Sequence, residues 1–258
     1  MSKIITIAGQ NGGAGKSVTA VNLATAFALY EQKTLLVDFD PKGLATRWAG
    51  PDDMVGSLSI TTVLTAKSRI RETVSHTEFN FLDIIPSDFD LFQAGLKLSK
   101  IKGNENILRL LLKEVKNEYD LILIDTPSSF EFLFISAVLA ADDLLVCMGP
   151  DAGCLHDYEN LLKTVKYVKL VHDRSVNIAG LLFNRCDNKE MINQLIKHNE
   201  IDGDIESRIL KTVIPRDDTI ETAIRLNIPA VLENIKSPAV QAYLNAANEI
   251  LDKCVKGV

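Results

Sequence analysis

Three short motifs of this 258-residue chain carry side chains that could bind phosphate and a metal ion, and each motif follows an apolar run. The first is Gly9–Ser17, which contains three glycines within four residues and ends in Lys16 and Ser17. Glycines let the backbone wrap closely around phosphate oxygens with its N–H groups pointing inwards. A helix that begins here adds the partial positive charge of its N-terminus. The motif therefore predicts a phosphate-binding loop in which Lys16 contacts the phosphates.

The other two motifs place aspartates directly after apolar runs. Asp38-Phe39-Asp40 follows one run, and Asp125-Thr126-Pro127 follows another. The carboxyl ends of parallel strands meet at one edge of a sheet, so we expect these carboxylates beside the phosphate loop. Carboxylates and a serine hydroxyl at such a place can hold Mg²⁺, directly or through water. Ser17, Asp38 and Asp125 are the predicted metal-binding residues.

Alternating strands and helices must position these motifs. We predict strands at Ile4–Ala8, Thr34–Asp38, Phe81–Ile85, Leu121–Asp125, Leu144–Met148, Ile178–Phe183 and Leu210–Val213. Helices are predicted at Ser17–Tyr30, Phe89–Leu98, Asn106–Lys116, Phe130–Ala140, Cys154–Val171, Lys189–His198, Thr219–Arg225 and Pro238–Cys254. Several strands are apolar without a break, as strands buried on both faces are. The pattern predicts one α/β domain over residues 1–258, with a mostly parallel sheet covered by helices on both faces.

The composition excludes several classes of protein. With 47% hydrophobic and 24% charged residues, the chain is typical of a globular protein rather than a disordered one. No apolar run reaches the roughly 18 residues that a membrane span requires. The four cysteines have no CxxC spacing, which indicates reduced thiols in a cytoplasmic protein. The net charge of −6 argues against nucleic acid, but the acidic excess lies in residues 1–162, and a basic face remains possible on residues 163–258.

Together these motifs resemble those of the ParA/MinD family of ATPases, and the resemblance covers nearly the whole chain. Gln10–Ser17 is similar to the deviant Walker A motif of the family, Leu35–Thr46 to its Walker A′ segment and Tyr119–Pro127 to its Walker B motif. Thr212–Arg216 and Gln241–Tyr243 resemble ParA more than MinD. The resemblance implies a P-loop NTPase fold with a twisted sheet of about seven or eight strands.

The resemblance also implies a role for each matching residue. The residues that would bind ATP are Asn11, Gly12, Gly13, Ala14, Gly15, Lys16, Ser17, Val18, Asn184, Arg185, Pro215 and Arg216. Among them, Lys16 and Gly12–Gly15 would bind the phosphates, Asn184 would contact the adenine, and Pro215 and Arg216 would line the other side of the base. Lys16, Asp38 and Asp40 would be the catalytic residues, and Asp40 would orient the attacking water. Phosphoryl transfer depends mainly on positioning and charge stabilisation, so these few groups suffice.

One position departs from the family pattern. The family carries a second lysine before the Gly-Gly pair, which reaches the partner's nucleotide, but this chain has the neutral Asn11 there. Either hydrolysis is slow, or another cation serves, and Lys42 and Arg185 are the candidates. In lacking this lysine, the chain also resembles one branch of the family, the A-type proteins that maintain carboxysome distribution.

The function implied by the resemblance is ATP-dependent positioning of a cargo. The ATP-bound chain would form a sandwich dimer, bind DNA without sequence preference and associate with the nucleoid. A small adaptor, ParB-like or of the carboxysome-distribution B type, would stimulate hydrolysis, and the cargo would be a carboxysome or other organelle, a plasmid or a chromosome. Phosphate contacts from basic residues would provide the DNA binding. The candidates are Lys189, Lys197, Arg208, Lys211, Arg216, Arg225 and Lys236.

Three other functions compete with this interpretation. An amide-forming synthetase on the same fold would need a second substrate pocket, which the sequence leaves open. A cluster reductase would need paired cysteines, and their spacing argues against it. An ATP-binding scaffold with little hydrolysis is consistent with Asn11.

Membrane binding is not expected, because Asn, Glu and Asp interrupt the polar side of the last helix.

Overall fold

Seven strands form one sheet in the computed structural model, which describes residues 2–9, 12–51, 58–129, 131–149, 153–187, 190, 192 and 203–255. They are β1 Lys3–Ala8, β2 Thr34–Asp38, β3 Ser75–His76, β4 Leu82–Ile85, β5 Leu121–Asp125, β6 Asp143–Met148 and β7 Asn177–Phe183. Their order in the sheet is β3-β4-β2-β5-β1-β6-β7. Only β3 runs antiparallel to its neighbour, so the predicted α/β fold with a mostly parallel sheet is confirmed.

Helices connect the strands and cover both faces of the sheet. They are α1 Lys16–Leu29, α2 Leu44–Ala49, α3 Ile60–Leu64, α4 Asp90–Leu98, α5 Ile107–Leu112, α6 Phe132–Ala140, α7 Cys154–His172, α8 Gly203–Arg208, α9 Asp218–Leu226, α10 Ala230–Asn234 and α11 Pro238–Ile250. Alternate residues of β5 face opposite sides: Leu121 and Leu123 pack with α1 and α11, while Ile122 and Ile124 pack with α3 to α6. This explains why the strand has no polar residue before Asp125.

The predicted strand at Leu210–Val213 is wrong. Only Ile209 and Ile214 form isolated bridges, to Leu181 of β7 and to Asn184 just after it, and the segment between them forms no ladder. The backbone N–H groups of Lys211 and Thr212 donate instead to the Glu249 carboxylate, at 2.8 and 3.1 Å. A side chain of α11 thus takes the hydrogen bonds that a strand would use.

Smaller differences concern short elements. The apolar patterns missed β3, α2, α3, α8 and α10, all of six residues or fewer, because such elements carry less than two turns of periodicity. The predicted helix at Lys189–His198 lies almost entirely outside the described residues. Among the described helices, none is long and apolar enough to cross a membrane.

The central strand β5 gives a test of the core. We expect Leu123→Ala to lower the free energy of unfolding by about 2–5 kcal/mol, because Leu123 is completely buried and its removal leaves a cavity. Leu110→Ala is the matched control, since Leu110 is 56% exposed and its truncation should change stability by less than about 0.5 kcal/mol. Urea denaturation measures both, and equal losses would contradict the assignment of the core.

Candidate functional site

The predicted phosphate-binding loop comes close to the Asn184 side chain at Gly15. This residue adopts φ 79° immediately before α1, a left-handed conformation that favours glycine. A Cβ atom at Gly15 would lie 3.1 Å from Nδ2 of Asn184. Glycine is therefore required here both by the backbone conformation and by the close approach of a neighbouring side chain.

Lys16, the first residue of α1, points into the site. Its side chain is buried, and Nζ donates a hydrogen bond of 2.7 Å to Oγ of Ser128, three residues beyond Asp125. Burial lowers the pKa of this ammonium, and Asp125 counteracts the shift. The lysine is thus held in place where its side chain lines the cleft.

Asp38 and Asp125 lie side by side. They are direct neighbours in the parallel register of β2 and β5, and both are completely buried. Burial raises the pKa of Asp38 to about 6, although three hydrogen bonds oppose the shift. Oδ2 of Asp38 accepts from the backbone N–H and the hydroxyl of Thr46, both at 2.7 Å, and Oδ1 accepts from the N–H of Asp40 at 3.2 Å.

Asp125 has no such partners. Neither of its carboxylate oxygens accepts a hydrogen bond of ordinary length, although the Ser17 side chain is near enough to stabilise the charge. Burial, and next the charge of Asp38, raise its pKa well above the usual range. A buried carboxylate with unused oxygens, beside a serine hydroxyl, fits a magnesium ion. Of the two aspartates, Asp125 therefore has carboxylate oxygens available to bind a metal ion, while those of Asp38 accept hydrogen bonds from the protein.

The carboxylates do not form a complete metal site by themselves. Among the described residues, no group of three or more His, Cys, Asp or Glu side chains could hold a metal ion. Mg²⁺ dehydrates reluctantly and is usually held by one or two carboxylates together with waters and substrate phosphates. This donor set thus fits Mg²⁺ that arrives with a nucleotide.

Asp40 lies at the mouth of the same site. Its side chain is buried, and Oδ1 accepts a hydrogen bond of 3.0 Å from the N–H of Lys42. Its carbonyl accepts from Oγ of Ser87 at 2.8 Å, which anchors the turn after β2. The Lys42 side chain is exposed and lines the cleft together with Asp40 and Ser128.

A cleft of about 750 Å³ extends from the phosphate loop. It brings together predicted ligand-binding residues from distant parts of the chain, namely Gly12, Gly13, Gly15, Lys16, Ser17, Val18, Asn184, Arg185, Pro215 and Arg216. Ala14 is buried beneath the loop, and Asn11 lies outside the described residues. The far end is more apolar, with Trp48 of α2 and Ile220 and Ile224 of α9.

Asn184 was predicted to contact a base, but its amide is also engaged inside the protein. Nδ2 donates to the carbonyl of Ala14 at 2.8 Å and to Oγ1 of Thr19 at 3.1 Å. Oδ1 accepts from the hydroxyl of Tyr243 at 3.4 Å, and that hydroxyl lies 3.3 Å from Oγ1 of Thr19. This network connects the phosphate loop, α1 and α11, so Asn184 positions the loop.

Sequence reasoning missed three residues that support the site. Ser128 holds Lys16, Thr46 binds Asp38 twice, and Thr19 bridges Asn184 and Tyr243. A polar residue soon after a strand-end aspartate was a signal for Ser128. No local signal marks Thr46 or Thr19, since each acts on a residue that only the fold brings near.

A second groove adjoins the cleft. Its volume is about 770 Å³, and it is lined by Phe89, Phe92 and Leu96 near α4, by Phe132 and Leu133 of α6, and by Asp40, Lys42 and Ser128. Phe89 is 74% exposed, and Phe92 and Leu96 are nearly half exposed. An apolar surface thus begins where the phosphate end of the cleft opens.

The predicted DNA contacts are dispersed. Lys211, Arg225 and Lys236 are exposed, and Arg216 is exposed near Asp187, with Nε 4.0 Å from its carboxylate. Arg208 is half-buried at the end of α8, and Lys189 and Lys197 lie outside the described residues. All four cysteines are buried, and none forms a disulfide.

Comparison with known proteins identifies relatives of the chain. Residues 2–178 match a family model described as an AAA domain. The chromosome partitioning protein ParA of Myxococcus xanthus is 31% identical over 256 residues, which cover 98% of this chain and 89% of that protein.

Solved structures resemble the whole chain. The septum site-determining protein MinD of Pyrococcus horikoshii in complex with Mg-ADP has a TM-score of 0.79 at 25% identity, over 100% of this chain and 98% of that one. Cobyrinic acid a,c-diamide synthase of Mycobacterium smegmatis with ADP and magnesium has 0.84 at 22%, over 100% and 97%. Apo McdA of Cyanothece has 0.84 at 19%, over 97% and 100%. At these last two identities the likeness concerns the fold alone.

The unpartnered carboxylate of Asp125 gives a test of the site. At alkaline pH we expect Asp125→Asn to stabilise the metal-free protein by about 1–3 kcal/mol, because the buried charge is removed. The gain should shrink as the pH falls, because the raised pKa of the wild-type carboxyl lets it take up a proton at a higher pH than an ordinary aspartate does, and both side chains are then neutral. Thermal melting against pH measures this.

The same variant should lose the contribution of Mg²⁺ to nucleotide affinity. Leu110→Asn, an exposed substitution, is the control and should change neither property. Destabilisation by Asp125→Asn at alkaline pH in the metal-free protein would contradict the electrostatic assignment.

Proposed function

This chain belongs to the ParA/MinD family of ATPases, which use ATP and Mg²⁺, and from that premise we propose that it is an ATP-driven positioning protein. In this proposal the ATP-bound chain dimerises, binds DNA without sequence preference and distributes a cargo. An adaptor of the ParB-like or carboxysome-distribution B type stimulates hydrolysis and releases the complex. Chromosome partitioning, the activity named for the Myxococcus relative, is the form of positioning that sequence identity favours.

The residues of the cleft support a division of labour in hydrolysis. The loop N–H groups and Lys16 bind the phosphates, and Ser128 keeps the lysine in place. Ser17 and Asp125 would hold Mg²⁺, with Asp38 as a neighbouring carboxylate, and the bound ion would supply positive charge to the phosphate oxygens. Oδ1 of Asp40 is bonded to the N–H of Lys42, and its other oxygen orients a water. The oxygen of that water forms a bond to the γ-phosphorus as the bond from the γ-phosphorus to the bridging oxygen breaks, and ADP leaves with the bridging oxygen. One proton of the water stays on the released phosphate, and the other passes to solvent.

One observation carries the proposal of dimerisation: the phosphate end of the cleft and the exposed apolar groove have Asp40, Lys42 and Ser128 in common. A second copy of the chain bound to this groove would contact these shared residues, so its binding would depend on whether a nucleotide occupies the phosphate end of the cleft. Exposed phenylalanines cost free energy in water, and their burial favours association. ATP binding and dimerisation are thereby coupled.

Phe89→Asp tests the coupling. We expect this variant to bind ATP like the wild type but to remain monomeric with a non-hydrolysable ATP analogue, since the charge would be buried in the contact. Light scattering measures the mass. Leu170→Asp on α7 is the control, because Leu170 is 85% exposed and lies on another helix. ATP-dependent dimers of Phe89→Asp would refute this contact surface.

DNA binding gives a second test of the function. We expect retention on DNA with ATP but not with ADP, and a steep fall with salt, because few phosphate contacts per chain act together only in the dimer. The double variant Lys211→Glu/Lys236→Glu should weaken retention at least about tenfold. Lys166→Glu/Lys169→Glu on α7, where both lysines are exposed, is the matched charge change and should retain binding. Equal retention with ADP and ATP would contradict the proposal.

A further inference from the structure

Arg185 is fixed in the wall of the cleft by its neighbours on both sides. The N–H of Asn184 donates to the carbonyl of Met148 at 2.8 Å, and the N–H of Cys186 donates to the carbonyl of Ile214 at 3.0 Å. Between them Arg185 adopts φ 56°, a left-handed conformation that side chains of L-residues rarely favour. Such a conformation persists only where the surroundings impose it, and it occurs preferentially at functional sites.

The backbone directs the guanidinium group towards the phosphate loop. Nη2 of Arg185 lies 3.9 Å from the position that a Cβ atom of Gly13 would occupy, and both residues line the cleft. The neighbouring Arg216 has Asp187 near its guanidinium, and its Nε donates to the Arg185 carbonyl at 3.4 Å. Among the described residues, no carboxylate forms an ion pair with Arg185. Its charge is available to a ligand.

We propose that Arg185 binds the polyphosphate of the nucleotide within the same chain and supplies the positive charge that the neutral Asn11 lacks. The guanidinium is always charged and presents a planar fork of donors that suits phosphate oxygens. The identification of the ligand as ATP rests on the proposed function.

Lys42, the other cation considered for this role, has a different position. It lies beside Asp40 and lines both the cleft and the apolar groove, whereas Arg185 lines the cleft alone. Any contribution of Lys42 would therefore depend on what covers the groove. Arg185 acts in the monomer, so its effect is measurable at protein concentrations where no dimer forms.

Replacement by glycine separates charge from backbone strain. Arg185→Gly removes the guanidinium while glycine readily adopts the left-handed conformation. Glu31→Gly is the matched control, because Glu31 has φ 58° and is exposed at the opposite end of α1. Arg185→Lys keeps the charge without the planar fork. Dissociation constants for ATP, ADP and AMP are measured by competition with a fluorescent ATP analogue, at low protein concentration and with Mg²⁺.

We expect Arg185→Gly to weaken ATP binding about 10- to 100-fold, ADP binding less and AMP binding least, with no loss of thermal stability. Arg185→Lys should restore part of the ATP affinity, and Glu31→Gly should bind all three nucleotides like the wild type. An equal loss for the three nucleotides would assign Arg185 to the base or ribose and overturn the proposal. Unchanged affinities for Arg185→Gly would also overturn it.

Two further variants separate this proposal from the proposed function. A loss that grows with phosphate number in Lys42→Ala but not in Arg185→Gly would assign the role to Lys42. Lys16→Ala should abolish ATP binding. If it binds ATP as the wild type does, the proposed function fails, and the assignment of Arg185 fails with it. If Lys16→Ala loses ATP binding while the Arg185 variants bind nucleotides like the wild type, the proposed function is retained and only the assignment of Arg185 fails.

Discussion

The pair of buried carboxylates at the carboxyl edge of the sheet is the constraint on which the site depends. Asp38 and Asp125 are adjacent and completely buried, and burial is the largest cause of the raised pKa of each. This arrangement costs free energy of folding, because charged groups are removed from water. The protein offsets part of the cost with the hydrogen bonds of Thr46 to Asp38, and leaves Asp125 to be satisfied by a cation. Nucleotide and metal thus complete an electrostatic arrangement that the protein leaves unfinished.

The parts around this charge are joined across long separations in the chain. Lys16 is held by Ser128, and the loop before it is held by Asn184 through Ala14. Asn184 is in turn bonded to Tyr243 of the last helix. The geometry of the phosphate loop therefore depends on β5, β7 and α11 together, and the Tyr243 hydroxyl connects α11 to the network that holds the loop.

Most of the fold could be predicted because buried parallel strands leave unbroken apolar runs, and the polar residue after each run marks the binding edge. Leu121–Asp125 illustrates both signals. The failures have one physical origin. At Leu210–Val213 the local pattern is that of a strand, but Glu249 takes the backbone N–H groups from far along the chain. Likewise, an asparagine after β7 indicates a polar ligand, whereas only the structure reveals that Ala14 and Thr19 occupy its amide. Partners chosen by tertiary structure leave no local pattern.

The segment at Leu210–Val213, which is not the predicted strand, has a consequence for solubility. It is flanked by two isolated bridges, to Leu181 of β7 and to Asn184 just after it, and the N–H groups of Lys211 and Thr212 donate to the Glu249 side chain. At the opposite edge, β3 has only two residues. Exposed sheet edges are templates for pairing with other chains, and both edges here are blunted. Copies of this protein that meet at high local concentration are thus protected from joining edge to edge into aggregates.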